Sequence, residues 1–139
     1  MSFDYATTEQ QILDRLTAAA ASAGIPLYRD EDTVDLTDNA VVPVGAQVVF
    51  LDIYPVDQAG PFSMHNVLFA FDLYLDSGRV SAAQKSAAAT LFGAAMNALV
   101  GWNISPGRSV LAEKVQRSSG EGRIRRRSFG FTIPVFTTG

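Results

Sequence analysis

Apolar residues at Ile12, Leu13, Leu16, Ala19, Ala20 and Ala23 recur at helical spacing, with Asp14, Arg15 and Thr17 on the other side. This pattern predicts an amphipathic helix over residues 7–23. Thr7 or Thr8 stands where a helix cap belongs, Thr7 and Gln10 have capping-box spacing, and Gly24 with Pro26 ends the run. A second apolar stripe, Ala88, Leu91, Phe92, Ala95, Met96 and Leu99, predicts a helix over 81–100. Ser81 and Gln84 repeat the capping-box spacing at its start, Gly101 closes it, and its many alanines allow close approach to a sheet.

Alternation with period two marks the strands. In "AQVVFLDIY", Val49, Leu51 and Ile53 alternate with Val48, Phe50, Asp52 and Tyr54. In "VLFAFDLYLDSG", Val67, Phe69, Phe71, Leu73 and Leu75 form one face and Leu68, Ala70, Asp72 and Tyr74 the other. These two strands are expected to pair antiparallel around "PVDQAGPFSMHN", whose prolines and Gly-Pro pair read as a long loop. A short strand follows Pro26. After it, Asp30, Glu31, Asp32, Asp35 and Asp38 are too closely spaced to be buried unpaired, so residues 29–39 read as an exposed loop or edge. Both connections are expected to be mobile in a free subunit. "SVLAEKVQR" and "RIRRRSFGFTIPVF" predict two further strands joined by "SSGEG". The fold class that follows is α+β, an α/β sandwich. One mixed, mostly antiparallel sheet of four to five strands carries two helices on one face.

Composition narrows the class. At 139 residues, 47% apolar and 18% charged, the chain reads as a single globular domain, 1–139. It has no cysteine, hence no disulfide or thiolate metal site. The opening twenty residues lack the basic start and apolar run of a signal peptide, and no apolar stretch is long enough to span a bilayer. A soluble protein without a membrane partner is expected. The net charge of −3 conceals a division: residues 1–78 carry two arginines against twelve carboxylates, net −10. Residues 79–139 carry nine lysines and arginines against two glutamates, net +7. Such asymmetry points to an interaction with another charged surface.

Catalytic chemistry finds no constellation. His65 is the only histidine and reads as a loop residue with a local hydrogen bond. Asp52 and Asp72 lie off the aromatic face and read as solvated strand carboxylates rather than a two-carboxylate site. "SPGRS" at 105–109 is a turn, not a phosphate loop. No enzyme, cofactor or metal is implied. What stands out is "GEGRIRRRSFGFTIPVF". Phe129, Phe131, Ile133 and Val135 make a buried strand face, and Arg125 and Arg127 continue it, while Ile124, Arg126 and Ser128 face away. Arginine on both faces predicts a basic hairpin arm that protrudes beyond the core, flanked by Arg117 and Arg123. Nucleic-acid phosphates would suit it, but a pI of about 5.0 and the acidic first half argue against them. The acidic segment remains as partner, within one chain or from a neighbour in a head-to-tail ring, and the residues alone leave both open.

Taken together, the capped "TTEQQILDRLTAAAASAG", the alanine-rich helix closing in "NALVGW", the following "SPGRSVL" and the last strand "RRRSFGFTIPVF" resemble the tail terminator proteins of tailed bacteriophages. The resemblance covers nearly the whole chain. It implies an α/β subunit that assembles as a homo-oligomeric ring, commonly a hexamer, on the last ring of the tail tube. Such a protein is located in the virion, at the head-proximal end of the tail. It stops tube growth and offers a docking surface to the head–tail connector protein, and to a sheath protein where there is one. The resemblance implies no catalytic residue, no cofactor and no specifically bound nucleic acid, although genome DNA passes through the lumen. Other connector or head-completion proteins, and a small nucleic-acid-binding module, are the alternative classes. On the ring reading, Arg123, Arg125, Arg126 and Arg127 of one subunit meet Asp30, Glu31, Asp32, Asp35 and Asp38 of the next.

Overall fold

The structure, a computed structural model, describes residues 4–29, 43–59 and 62–138. Helix α1 spans Tyr5–Ala23 and starts two residues before the expected point. Asp4 is its cap: one carboxylate oxygen accepts from the Ala6 N–H at 3.0 Å, the other from the Thr7 hydroxyl at 2.7 Å. The Thr7 hydroxyl, then the Ala6 amide, hold the Asp4 carboxyl below the usual aspartate range. Thr7 therefore serves the cap rather than being it, and Gln10 donates to Asp14 instead of closing a box. Gly24 ends the helix in the left-handed region at φ 68°, where a residue with a β-carbon is strained.

Strand β1, Leu27–Arg29, runs parallel to β2, Val44–Ala59, which pairs antiparallel with β3, Phe62–Asp76. The segment expected to be a long loop is therefore a hairpin, paired as far as Ala59 and Phe62. Its prolines misled. Pro55 lies at a register shift, on a stretch of β2 that has lost β1 as a neighbour, so its missing N–H costs no ladder bond. His65 consequently lies within β3, opposite Pro55 and Val135, and not in a loop. The acidic residues Asp30, Glu31, Asp32, Asp35 and Asp38, and the mobility expected of them, lie outside the described residues.

Helix α2, Ala82–Leu99, has the expected capping box, Ser81 and Gln84 bonding each other's backbone amides at 3.1 and 2.8 Å. Beyond it come the paired two- and three-residue strands β4, Asn103–Ser105, and β5, Arg108–Ser109, then β6, Leu111–Glu113, β7, Gly120–Glu121, and β8, Ile124–Thr138. The main sheet has the order β1-β2-β3-β8-β6, and β7 extends the same edge as β6. Only β1–β2 is parallel, so the sheet is mixed and mostly antiparallel, as expected.

Both helices cover one face. Ile12 and Leu16 of α1, and Ala88, Leu91 and Leu99 of α2, share a buried cluster with Phe69, Phe71 and Phe131. The Phe92 ring lies 5.3 Å from Phe129 and 6.3 Å from Phe71, centroid to centroid. Arg15 joins the helices: its Nε donates to the Ala98 carbonyl at 2.6 Å, and its guanidinium lies 4.5 Å above the Trp102 ring. The outer face is small and polar around a buried tyrosine. Burial pushes the Tyr74 hydroxyl pKa up, and its ring lies directly over Gly45. A β-carbon at Gly45 would overlap that ring, so Gly45→Val is expected to cost about 1–3 kcal/mol as overpacking. Thermal denaturation checks it, and an unchanged melting temperature would mean that Tyr74 swings aside freely.

Candidate functional site

The first half of β8 does not protrude. Its backbone pairs with β3 without interruption, Arg125 opposite Leu75, Arg126 opposite Tyr74 and Arg127 opposite Leu73. The alternation expected from the sequence holds, but the sheet continues beneath the arginines, so the pleat sorts them onto its two faces, where Arg125 and Arg127 stay exposed and Arg126 is half-buried.

On the outer face two buried carboxylates engage four arginines. Asp72, expected to be solvated, is only 2% exposed. Its carboxylate accepts from Ser128 Oγ at 2.6 Å and is paired with the Arg117 guanidinium, with Arg126 Nε 3.9 Å away. Arg117 arrives from residues 114–119, which leave the ladder between β6 and β7 and pass over the outer face. Gly130 makes room for this strap, since a β-carbon there would overlap Val115. Further along β3, fully buried Asp76 accepts from the Gly78 N–H at 3.0 Å and lies 3.6 Å from Arg79 and 3.8 Å from Arg123. Asp52 is exposed and pairs opposite Leu68, so the two candidate strand carboxylates do not meet.

On the helix side, Arg125 and Arg127 open onto a cleft of about 460 Å³ between the start of α2 and the end of the sheet. Leu73, Leu75, Val80, Ala88, Ala89 and Phe92 make its apolar surface, with Lys85 and Ser77 at the rim beside the arginines. Among the described residues that line it there are three cations and no carboxylate. Arg125 donates to the Gly122 carbonyl at 3.0 Å. The Arg127 side chain has no hydrogen bond or ion pair among the described residues. Of the four arginines singled out in the sequence, the structure thus brings Arg125 and Arg127 together, assigns Arg126 to Asp72 and Arg123 to Asp76. Lys85 was overlooked, although it lies three and seven residues before Ala88 and Phe92, on the same helical stripe. An apolar surface ringed by positive charge suits an anionic ligand with an apolar body. Among the described residues no group of three His, Asp or Glu side chains could hold a metal ion.

The α+β class defined by this sheet and its helix pair has solved counterparts. One is a chain of a structure described as the virion of a native gene transfer agent particle, matched at TM-score 0.67 over 94% of this chain and 97% of that one, at 17% identity. A second solved chain matches at TM-score 0.50 over 95% and 96%, at 16% identity. At these identities the likeness shows a shared fold along the whole chain. No family model matches the sequence, and the curated proteins contain no match.

Proposed function

We propose that this chain is a virion structural protein of a phage-like particle, forming a ring that terminates the tail tube. Such a ring stops tube polymerisation and presents a docking surface to the head–tail connector. Its partners are further copies of itself, most simply six, then the tube protein below and the connector above. The observation that carries this reading is the end-to-end fold match with a chain from a virion, to which the terminator-like helix and strand patterns add independent support. The cleft is consistent with a protein partner: it combines positive charge with an apolar surface, whereas a phosphate backbone would use the charge alone. Arg117, Arg123 and Arg126 are already paired with Asp72 and Asp76 inside the subunit, which further weakens the nucleic-acid alternative.

Light scattering and negative-stain electron microscopy test the proposal directly. The expected result is a ring near six times the 14.9 kDa subunit that binds one end of purified tail tubes and blocks their extension. A monomer at every concentration defeats the ring. A ring that ignores tubes but binds filled heads moves the protein to the connector or head-completion class. Nanomolar binding of duplex DNA near physiological salt, lost in Arg125→Glu with Arg127→Glu while assembly persists, would establish the nucleic-acid reading instead.

A further inference from the structure

The cleft on the helix side has a chemistry that the sequence itself can match. Its apolar surface is bounded by Lys85 from α2 and by Arg125 and Arg127 from β8, with no compensating carboxylate among the described residues that line it. Residues 32–38 read "DTVDLTD", in which Asp32, Val34, Leu36 and Asp38 fall at alternate positions. An extended chain with this pattern presents two apolar side chains between two carboxylates on one face. That is the complement of an apolar cleft with cations at its margins.

We propose that the cleft is the socket of a head-to-tail subunit contact, and that its occupant is the Asp32–Asp38 segment of a second copy of this chain. The inference rests on the ring reading and adds the interface that would build it. Val34 and Leu36 cover Leu73, Leu75, Val80 and Phe92, removing exposed apolar surface from water on both subunits. Asp32 and Asp38 meet Lys85, Arg125 and Arg127, where a planar guanidinium can hold a carboxylate through two hydrogen bonds. The contact is heterologous because socket and plug are different surfaces, and a heterologous contact repeated with a closing rotation gives a ring. It also accounts for the charge division along the chain, since the first half supplies the plug and the second half most of the socket. Only two of the four clustered arginines take part, with Lys85 as the third cation. The acidic partners of Arg123 and Arg126 are already present within the subunit.

The absence of cysteine makes a crosslink test clean. Leu36→Cys and Ala89→Cys are placed together in the full-length chain, which is oxidised at the concentration where light scattering shows assembly. The expected result on a non-reducing denaturing gel is a ladder of covalent oligomers ending at the subunit number of the ring. Adding Lys85→Glu with Arg127→Glu is expected to abolish both the ladder and the ring, with the circular dichroism spectrum of the folded chain retained. Should that pair fail to fold, Arg127→Gln alone is expected to weaken the ladder visibly. An internally bridged, faster-running monomer would show that the segment docks on its own chain, and this would overturn the proposal. No bridge in a chain that still forms rings would overturn it too, while leaving the ring reading intact. No bridge, with no ring formed by the substituted chain or by the unsubstituted one, would defeat both.

Discussion

Replacing Asp72 by alanine is expected to destabilise the subunit by about 3 kcal/mol, read as a lowered denaturant midpoint in equilibrium unfolding. Asp72 is almost completely buried on β3, with Arg126 of the neighbouring β8 close to it and Arg117 reaching it from the strap beyond β8. Removing one member of a buried ion pair leaves the other charge without compensation, and this costs about 3–5 kcal/mol when the site is fully enclosed. The lower end applies because the Arg117 side chain keeps 22% of its surface in solvent and can partly rehydrate. Replacing Asp72, Arg117 and Arg126 together by leucine should recover much of the loss, since an apolar cluster carries no desolvation penalty. A loss below about 0.5 kcal/mol in the single variant would match an ordinary surface site and show that the carboxylate is solvated.

An effect of similar size is expected in the core. Phe131 is fully buried, its ring centroid 5.9 Å from both Phe69 and Phe129, under the two helices. Phe131→Ala removes its apolar burial and leaves a cavity that tightly packed neighbours cannot fill, at a cost of about 3–5 kcal/mol. Phe136, five residues along the same strand but half exposed, provides the comparison. Phe136→Ala should change stability by less than about 1 kcal/mol, since half of its surface stays in water. Thermal and denaturant unfolding of the two variants would decide this. Equal losses would mean that the far end of β8 is as well packed as its middle.

These cases also show how far the sequence could be read. Both helices and their common face were legible because each has one apolar stripe. The face of β3 and β8 was legible because their alternation is unbroken over several residues. Pairing beyond the core was not. Prolines and a Gly-Pro pair in 55–66 are local signals of a loop, and they were overridden by long-range ladder formation on an unpaired side of β2. The fate of Asp72 was hidden for a related reason. Its burial depends on a strap more than forty residues later bringing Arg117 across two strands, a contact with no signature near position 72. The basic run was correctly sorted by phase, Arg125 and Arg127 to one face and Arg126 to the other. Reading it as a protruding arm failed because nothing local reveals that β3 extends beneath it.

The place of β8 in the sheet has a consequence for how the subunit is made. Its pairing with β3 joins residues at least 48 positions apart, from Asp76 with Ile124 to 76 positions apart at Phe62 with Thr138. Contacts of such separation slow folding, because loop-closure entropy must be met before the ladder returns anything. During synthesis, β2 and β3 emerge from the ribosome well before the strand that will lie beside them. Until then β3 presents an open hydrogen-bonding edge, and the apolar faces of both helices lack half their sheet. A nascent chain stalled before Ile124 therefore has neither a finished core nor Arg125 and Arg127. Interrupted translation products, left with an open strand edge and an unfinished core, should be cleared by proteases.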